Sequence, residues 1–207
     1  MLRYRLKIDN NINASKQRYL KFRTTKTLPL FILAWLMLPL AAYSGEILPY
    51  SEPKRQDFSL PDFQGELHSV PDYQGKVVLI NFWASWCPPC IYEMPELMRL
   101  KQQMADKPFE ILAINVGEKK YRVRKFTKVI NLELPVLLDT KSKAFDDWGV
   151  RTLPTSFLID ANGQVRYRIR GNPGWEHEDT LAVIEQLVSE TTASATSNLL
   201  TNYETNP

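Results

Sequence analysis

Residues 76–84, KVVLINFWA, form a near-continuous run of apolar, largely β-branched and aromatic side chains, and only Ser85 separates it from Trp86-Cys87-Pro88-Pro89-Cys90. Such a run is the pattern of a central strand covered on both faces. Next in the chain, residues 87–104 read as a helix with Pro88 at its first position, where a missing amide proton costs nothing. Residues 109–116 then give a second buried strand, 119–130 a helix with charged faces, and 136–148 a shorter strand-helix unit. Two further strands, 155–160 and 164–171, flank Asn162-Gly163, a strong hairpin turn. An amphipathic helix over about 176–189 closes the order. Upstream, residues 58–76 place Gly65 and Gly75 as turn points between short apolar pieces, which predicts a small hairpin ahead of the main sheet. Strands alternating with helices and ending in a hairpin predict an α/β fold, with three layers about a mixed central sheet.

A separate constraint comes from the start of the chain. Residues 27–45 carry no charge, and Lys16, Arg18, Lys21, Arg23 and Lys26 precede them. That is a membrane-targeting segment in positive-inside orientation. At about 1.5 Å per residue it reaches roughly 28 Å, close to one bilayer crossing. Pro29, Pro39 and the small residues near Ala42 also fit a cleaved signal peptide, so anchor and signal both remain open. Residues 1–26 form the basic cytoplasmic segment, 46–57 a linker, 58–190 the folded domain and 191–207, rich in Ser and Thr, a disordered tail. The expected location is the inner (cytoplasmic) membrane by a single pass, with the domain in the periplasm or extracytoplasmic space, or soluble in the periplasm after cleavage.

Charge supports this partition. The first 26 residues hold eight of the 26 Lys and Arg but one of the 23 acids, so the remainder is mildly acidic. The basic character belongs to the leader and gives no argument for nucleic-acid binding. Two Cys and two His in 207 residues exclude a disulfide framework and leave too few soft ligands for a closed structural zinc site. No metal and no cofactor is expected.

The two cysteines carry the chemistry. A Cys-x-x-Cys pair beside a strand-to-helix junction reads as a redox-active dithiol. At the helix N-cap, the dipole and free amide protons favour a Cys87 thiolate, which makes Cys87 the nucleophile. Cys90, one turn on, is placed to resolve the mixed disulfide that Cys87 forms. Pro88 and Pro89 have no amide proton to offer the Cys87 sulfur, leaving the Cys90 amide as its main local donor. Fewer donors mean a less stabilised thiolate and a more reducing pair. Glu93, three residues after Cys90, is either a solvent-facing helix acid or a carboxylate that takes the Cys90 proton. Asn81, polar within the apolar strand, is either a hydrogen-bonded core amide or a polar group near Cys90. Leu153-Pro154-Thr155 opens the strand at 155; a cis bond there would free the preceding backbone to pair with an extended substrate, whereas a trans turn proline would do nothing of the kind.

Taken together, NFWASWCPPC, the EMPEL continuation, the inserted NLELPVLLDTKSKAFDDWGV unit and LPTSFLIDANG resemble the thioredoxin superfamily, and within it the TlpA/ResA/CcmG-like branch of extracytoplasmic thiol-disulfide oxidoreductases. The resemblance covers residues 58–187. It implies the thioredoxin-like fold, with an N-terminal hairpin and an inserted strand-helix unit. It implies that Pro154 is a cis-proline facing Cys87, and that Glu93 is the active-site acid. Trp86, Leu153, Pro154 and Thr155 would contact substrate. Asn81 departs from cytosolic thioredoxins, which have an aspartate there, and this makes Glu93 the better proton-handling candidate. The partners it implies are exported proteins with disulfides or thiols, apocytochrome c among them, and a membrane thiol-electron transporter.

Other chemistries fit less well. A disulfide oxidase or isomerase shares the motif and differs in potential. A thioredoxin-like copper carrier would space its cysteines three apart and add a histidine, and a peroxidase would use a Thr-x-x-Cys-type site. The six bases at Lys119, Lys120, Arg122, Arg124, Lys125 and Lys128 read as a solvated helix face. Arg166, Arg168 and Arg170, alternating along a strand, read as guards of a sheet edge.

Overall fold

The computed structural model describes residues 45–51 and 57–204. The basic segment 1–26 and most of the apolar segment 27–45 lie outside the described residues. Among the described residues, no helix is long and apolar enough to cross a membrane.

Within the described residues, strands and α-helices follow one another as β1 (Glu46–Pro49), β2 (Leu60–Pro61), β3 (Leu67–His68), β4 (Val77–Trp83), α1 (Pro88–Gln103), β5 (Phe109–Val116), α2 (Lys120–Val129), β6 (Val136–Asp139), α3 (Lys143–Asp147), β7 (Thr155–Ile159), β8 (Val165–Arg170) and α4 (Glu178–Glu204). Six strands form one sheet in the order β1-β8-β7-β4-β5-β6, and β2 and β3 pair as a separate hairpin. β4 lies inside the sheet, parallel to β5 and antiparallel to β7. The mixed sheet of a thioredoxin-like fold is therefore present, with the small hairpin ahead of it and β6-α3 as the inserted unit.

All seven β4 residues are buried, as its apolar run requires. Alternation divides them between two layers. Val77, Leu79 and Trp83 pack with Met94, Leu97 and Leu100 of α1 and Ile184 and Leu187 of α4. Val78, Ile80 and Phe82 face the opposite layer, where Trp148 sits against Phe82 and Phe157 with ring centroids 6.0 and 5.0 Å apart. Asn81 belongs by register to the α1 side, and it pairs with Ser156 on β7. A polar residue there must find its partners beneath the α1 helix.

Three expectations need correction. The linker over 46–57 begins with a strand: β1 pairs antiparallel with β8, Glu46 opposite Arg170. Its backbone completes the sheet, and backbone pairing asks little of side-chain pattern. For the same reason β8 is not an edge, and its arginines guard none. Arg168 instead donates to the Gly149 carbonyl at 2.8 Å and lies over the Phe157 ring, while Arg166 bonds Asp160 and Glu190. Finally, α4 does not stop near 189 but runs to Glu204, through the segment expected to be disordered; Ala, Ser and Thr are permissible helix residues once a preceding helix supplies the nucleus.

Candidate active site

The β4-to-α1 junction builds the site. Ala84 follows the buried strand, and Cys87 caps α1 in an extended conformation, φ −100° and ψ 97°. Cys87 and Cys90 are joined as a disulfide with their Cα atoms 5.4 Å apart. The Cys90 amide donates to the Cys87 sulfur at 3.3 Å, as the absence of amide protons on Pro88 and Pro89 leads one to expect. Burial differs between the pair: Cys87 retains 5% exposure, Cys90 none. Cys87 is thus the more accessible of the two.

Beside Cys87 lies a groove of about 560 Å³, lined by Trp86, Pro88, Pro89, Phe145, Arg151 and Leu153 among others. Trp86 is 61% exposed, an apolar side chain held in solvent next to Cys87 in this groove. The Leu153-Pro154 peptide is cis. Of the residues expected to meet substrate, Trp86 and Leu153 line this groove, whereas Pro154 and Thr155 are buried. The Thr155 hydroxyl donates to the Thr152 carbonyl at 2.8 Å, and the Pro154 carbonyl accepts from Gly171. Phe145 and Arg151 are groove residues that no sequence pattern singles out, because α3 and the 150–153 segment meet the motif only in the folded chain.

Glu93 is not solvent-facing: on the dithiol helix α1 it is fully buried. Asn81 Nδ2 donates to its Oε1 at 2.8 Å and Trp175 Nε1 to its Oε2 at 3.1 Å. Burial pushes its pKa up to about 7; the two donors offset part of this, and the nearby Glu96 charge adds to it. Asn81 turns out to be a core amide and a polar neighbour of the acid at once. Trp175 lies 82 residues from Glu93 in sequence, in a Gly- and Pro-containing loop, and no local pattern marks it. Ser156, a buried hydroxyl residue on β7, pairs opposite Asn81 and accepts from its Nδ2 at 2.9 Å.

On the other side of the motif sits a second buried carboxylate, Glu118, which sequence reasoning missed. It accepts from the Ser85 amide at 2.6 Å, the Ser85 hydroxyl and Asn115 Nδ2 at 2.9 Å, and pairs with Arg122 Nε at 3.0 Å. Burial pushes its pKa up, and these donors more than reverse it, holding Glu118 below the usual carboxylate range. The turn that presents Trp86 is tied to the sheet through this anion.

The AhpC/TSA family model matches residues 53–168, more than half of the chain. The chain belongs to the AhpC/TSA family. Within that family it is similar to the thiol-disulfide oxidoreductase ResA of Geobacillus thermodenitrificans, 44% identical over 115 residues, which is 56% of this chain and 66% of the relative. It is also similar to ResA of Bacillus subtilis, 35% identical over 150 residues, covering 72% and 84% of the two chains. The shared region thus spans just under two thirds of the Geobacillus relative. Among solved structures, a thioredoxin-family thiol:disulfide interchange protein from Chlorobium tepidum TLS superposes with a TM-score of 0.57 at 29% identity, over 67% of this chain and 99% of that one. The AhpC/TSA match and this superposition agree on a thioredoxin-like fold.

Proposed function

We propose that this AhpC/TSA family member is a thiol-disulfide oxidoreductase that reduces disulfides in exported proteins. The observation carrying the reading is the Cys87–Cys90 disulfide at the N-cap of α1, with Cys87 lining the surface groove and Cys90 fully buried three residues before a fully buried acid on the same helix. Its relatives named ResA carry the name of the same activity.

In the reducing direction, the Cys87 thiolate attacks one sulfur of a substrate disulfide; an S–S bond forms to Cys87 as the substrate S–S bond breaks and one substrate thiolate leaves. Cys90 gives its proton to the Glu93 carboxylate and attacks Cys87. The second substrate sulfur departs as a thiolate, and both substrate thiolates take protons from solvent or from Glu93. Two electrons have moved from the dithiol to the substrate. No cofactor enters; the cysteine pair is the carrier.

The donors around Cys87 support the reducing direction. Near the Cys87 sulfur the local donor is one amide, at 3.3 Å, so the thiolate is weakly stabilised and the disulfide state correspondingly favoured. A reductant outside the cytoplasm needs electrons from across the membrane, which fits a membrane thiol-electron transporter as partner and residues 27–45 as anchor or export signal. Cysteine pairs awaiting a covalent group, as in apocytochrome c, are a client class that needs such a reductant. The measurement that decides is the equilibrium reduction potential of the full chain: a value below about −230 mV is expected, whereas one above about −150 mV would make the protein an oxidant of exported thiols. Cys87→Ser abolishes turnover in this scheme; disulfide reduction surviving in that variant overturns it.

A further inference from the structure

Asn81 is fully buried, and its side-chain nitrogen is saturated: Nδ2 donates to Glu93 Oε1 at 2.8 Å and to Ser156 Oγ at 2.9 Å. Its oxygen is not. Asn81 Oδ1 is buried with no hydrogen-bond partner among the described residues, an arrangement that costs about 1–3 kcal/mol. The remainder of β4 is apolar, and a Leu here would avoid that cost. An amide has, however, a property Leu lacks: a half-turn about its Cβ–Cγ bond exchanges a donor for an acceptor of nearly the same shape.

That exchange matters because of what faces it. With Glu93 ionised, Nδ2 gives the carboxylate a charge-assisted hydrogen bond. With Glu93 protonated, Trp175 Nε1 still occupies Oε2, and a proton on Oε1 would point at the amide's own N–H. After the half-turn, Oδ1 stands where Nδ2 stood and accepts from the acid. Ser156 serves both orientations, since a hydroxyl accepts from Nδ2 in one and donates to Oδ1 in the other. We propose that Asn81 is a positioning residue whose amide turns over as Glu93 gains or loses its proton, keeping that acid hydrogen-bonded in both states. This rests on the reading of Glu93 as the proton acceptor of Cys90.

The groups facing Glu93 are Asn81 from β4, Trp175 from the segment before α4 and, on α1 itself, Glu96; Cys90, also fully buried, precedes Glu93 by three residues on the same helix. Glu96 is held by the Trp175 amide and Asn172 Nδ2, and its charge opposes ionisation of Glu93. Burial brings Glu93 to about 7, so both amide orientations are populated near neutrality.

The test is a titration of the isotope-labelled full chain by NMR between about pH 5 and 9, following the Glu93 carboxyl carbon and the Asn81 side-chain nitrogen separately. We expect both resonances to move with one midpoint, and the Asn81 change to vanish in Glu93→Gln. In Asn81→Leu the loss of the charge-assisted donor raises the Glu93 midpoint about tenfold in proton affinity, and the pH profile of disulfide exchange moves up with it; a residue that only filled space would leave that profile in place. Asn81→Ser, smaller and still polar, checks the same shift if the leucine variant does not fold. A Glu93 carbon that titrates while the Asn81 nitrogen stays still overturns the turnover and leaves the proton-acceptor reading intact. A Glu93 carbon that does not titrate in this range overturns both.

Discussion

Glu93 and Glu118 bracket the Cys87–Cys90 motif, both almost without solvent, yet they are held in opposite states. Glu93 has two neutral donors and an acidic neighbour in Glu96, and it is driven toward the protonated form. Glu118 has the Ser85 amide and hydroxyl, the Asn115 amide and the Arg122 guanidinium, and it is driven toward the anion. Burial alone therefore does not set a carboxyl's charge; the number and charge of its donors do. The acid on the dithiol helix is poised to change protonation near neutrality, and the one bonded to the Ser85 turn is held as an anion.

The largest effect that separates the two is on turnover. Glu93→Gln removes the proton acceptor for Cys90 and should slow resolution of the mixed disulfide by about 100-fold near neutrality, the low end for a general base. Glu118→Gln should leave that step within a few-fold, because Glu118 touches neither sulfur. Single-turnover reduction of a model disulfide by each variant reads the difference; equal losses would erase the distinction.

A second prediction concerns stability against pH. The folded protein keeps the Glu93 proton up to about pH 7, whereas the unfolded chain releases it near 4.5. Across that window the folded state binds the extra proton, so stability is fully present below pH 4.5 and falls as the pH rises through 7, by on the order of 3 kcal/mol. Urea unfolding of Glu93→Gln should lose this slope and match or exceed the parent above pH 7. Glu118 has the opposite sign: its contribution is present above about pH 4.5, the unfolded value, and fades as the pH falls through its lowered folded value.

Glu118→Gln follows with a smaller effect. The amide presents an NH₂ toward donors that the carboxylate had accepted from, leaving at least one buried donor unpaired at a cost of about 1–3 kcal/mol. The loss should be greatest at neutral pH and shrink in acid, where Glu118 would be protonated anyway. A loss that instead grew in acid would mean the carboxyl is neutral in the folded protein, like Glu93.

The two acids also show what a sequence discloses. β4, the N-cap position of Cys87 and the Glu93 spacing were legible because each depends on neighbours within one or two turns of chain. The burial of Glu93 was not, since it is set in part by Trp175, 82 residues away. Glu118 has two local partners, Asn115 three residues before it and Arg122 four after, but the contacts that tie it to the motif come from Ser85, 33 residues away, and form only when β4 and β5 pair. β1 was hidden for a related reason: it holds its place by backbone pairing to β8, and its side chains include Pro49 and partly exposed residues that look like a linker. α4 beyond 189 shows the converse, a composition that resembles a tail but continues a helix already begun.

The mildest change tests the donor-count argument most directly. Ser85→Ala deletes the hydroxyl that donates to Glu118 but keeps the Ser85 backbone amide, and Asn115 and Arg122 are untouched. Three donors remain, one of them a guanidinium, so Glu118 should stay an anion and the fold should lose only the net value of one hydrogen bond, about 1 kcal/mol. The hydroxyl also receives a long 3.4 Å contact from Arg122, whose loss adds little because that side chain is exposed and still paired with the carboxylate. A carboxyl-carbon titration of Glu118 in this variant should therefore remain below the ordinary range. If deleting one hydroxyl instead carried its midpoint up toward that of Glu93, the charge of Glu118 would rest on a single contact, and the contrast between anchor and proton acceptor would be one hydrogen bond deep.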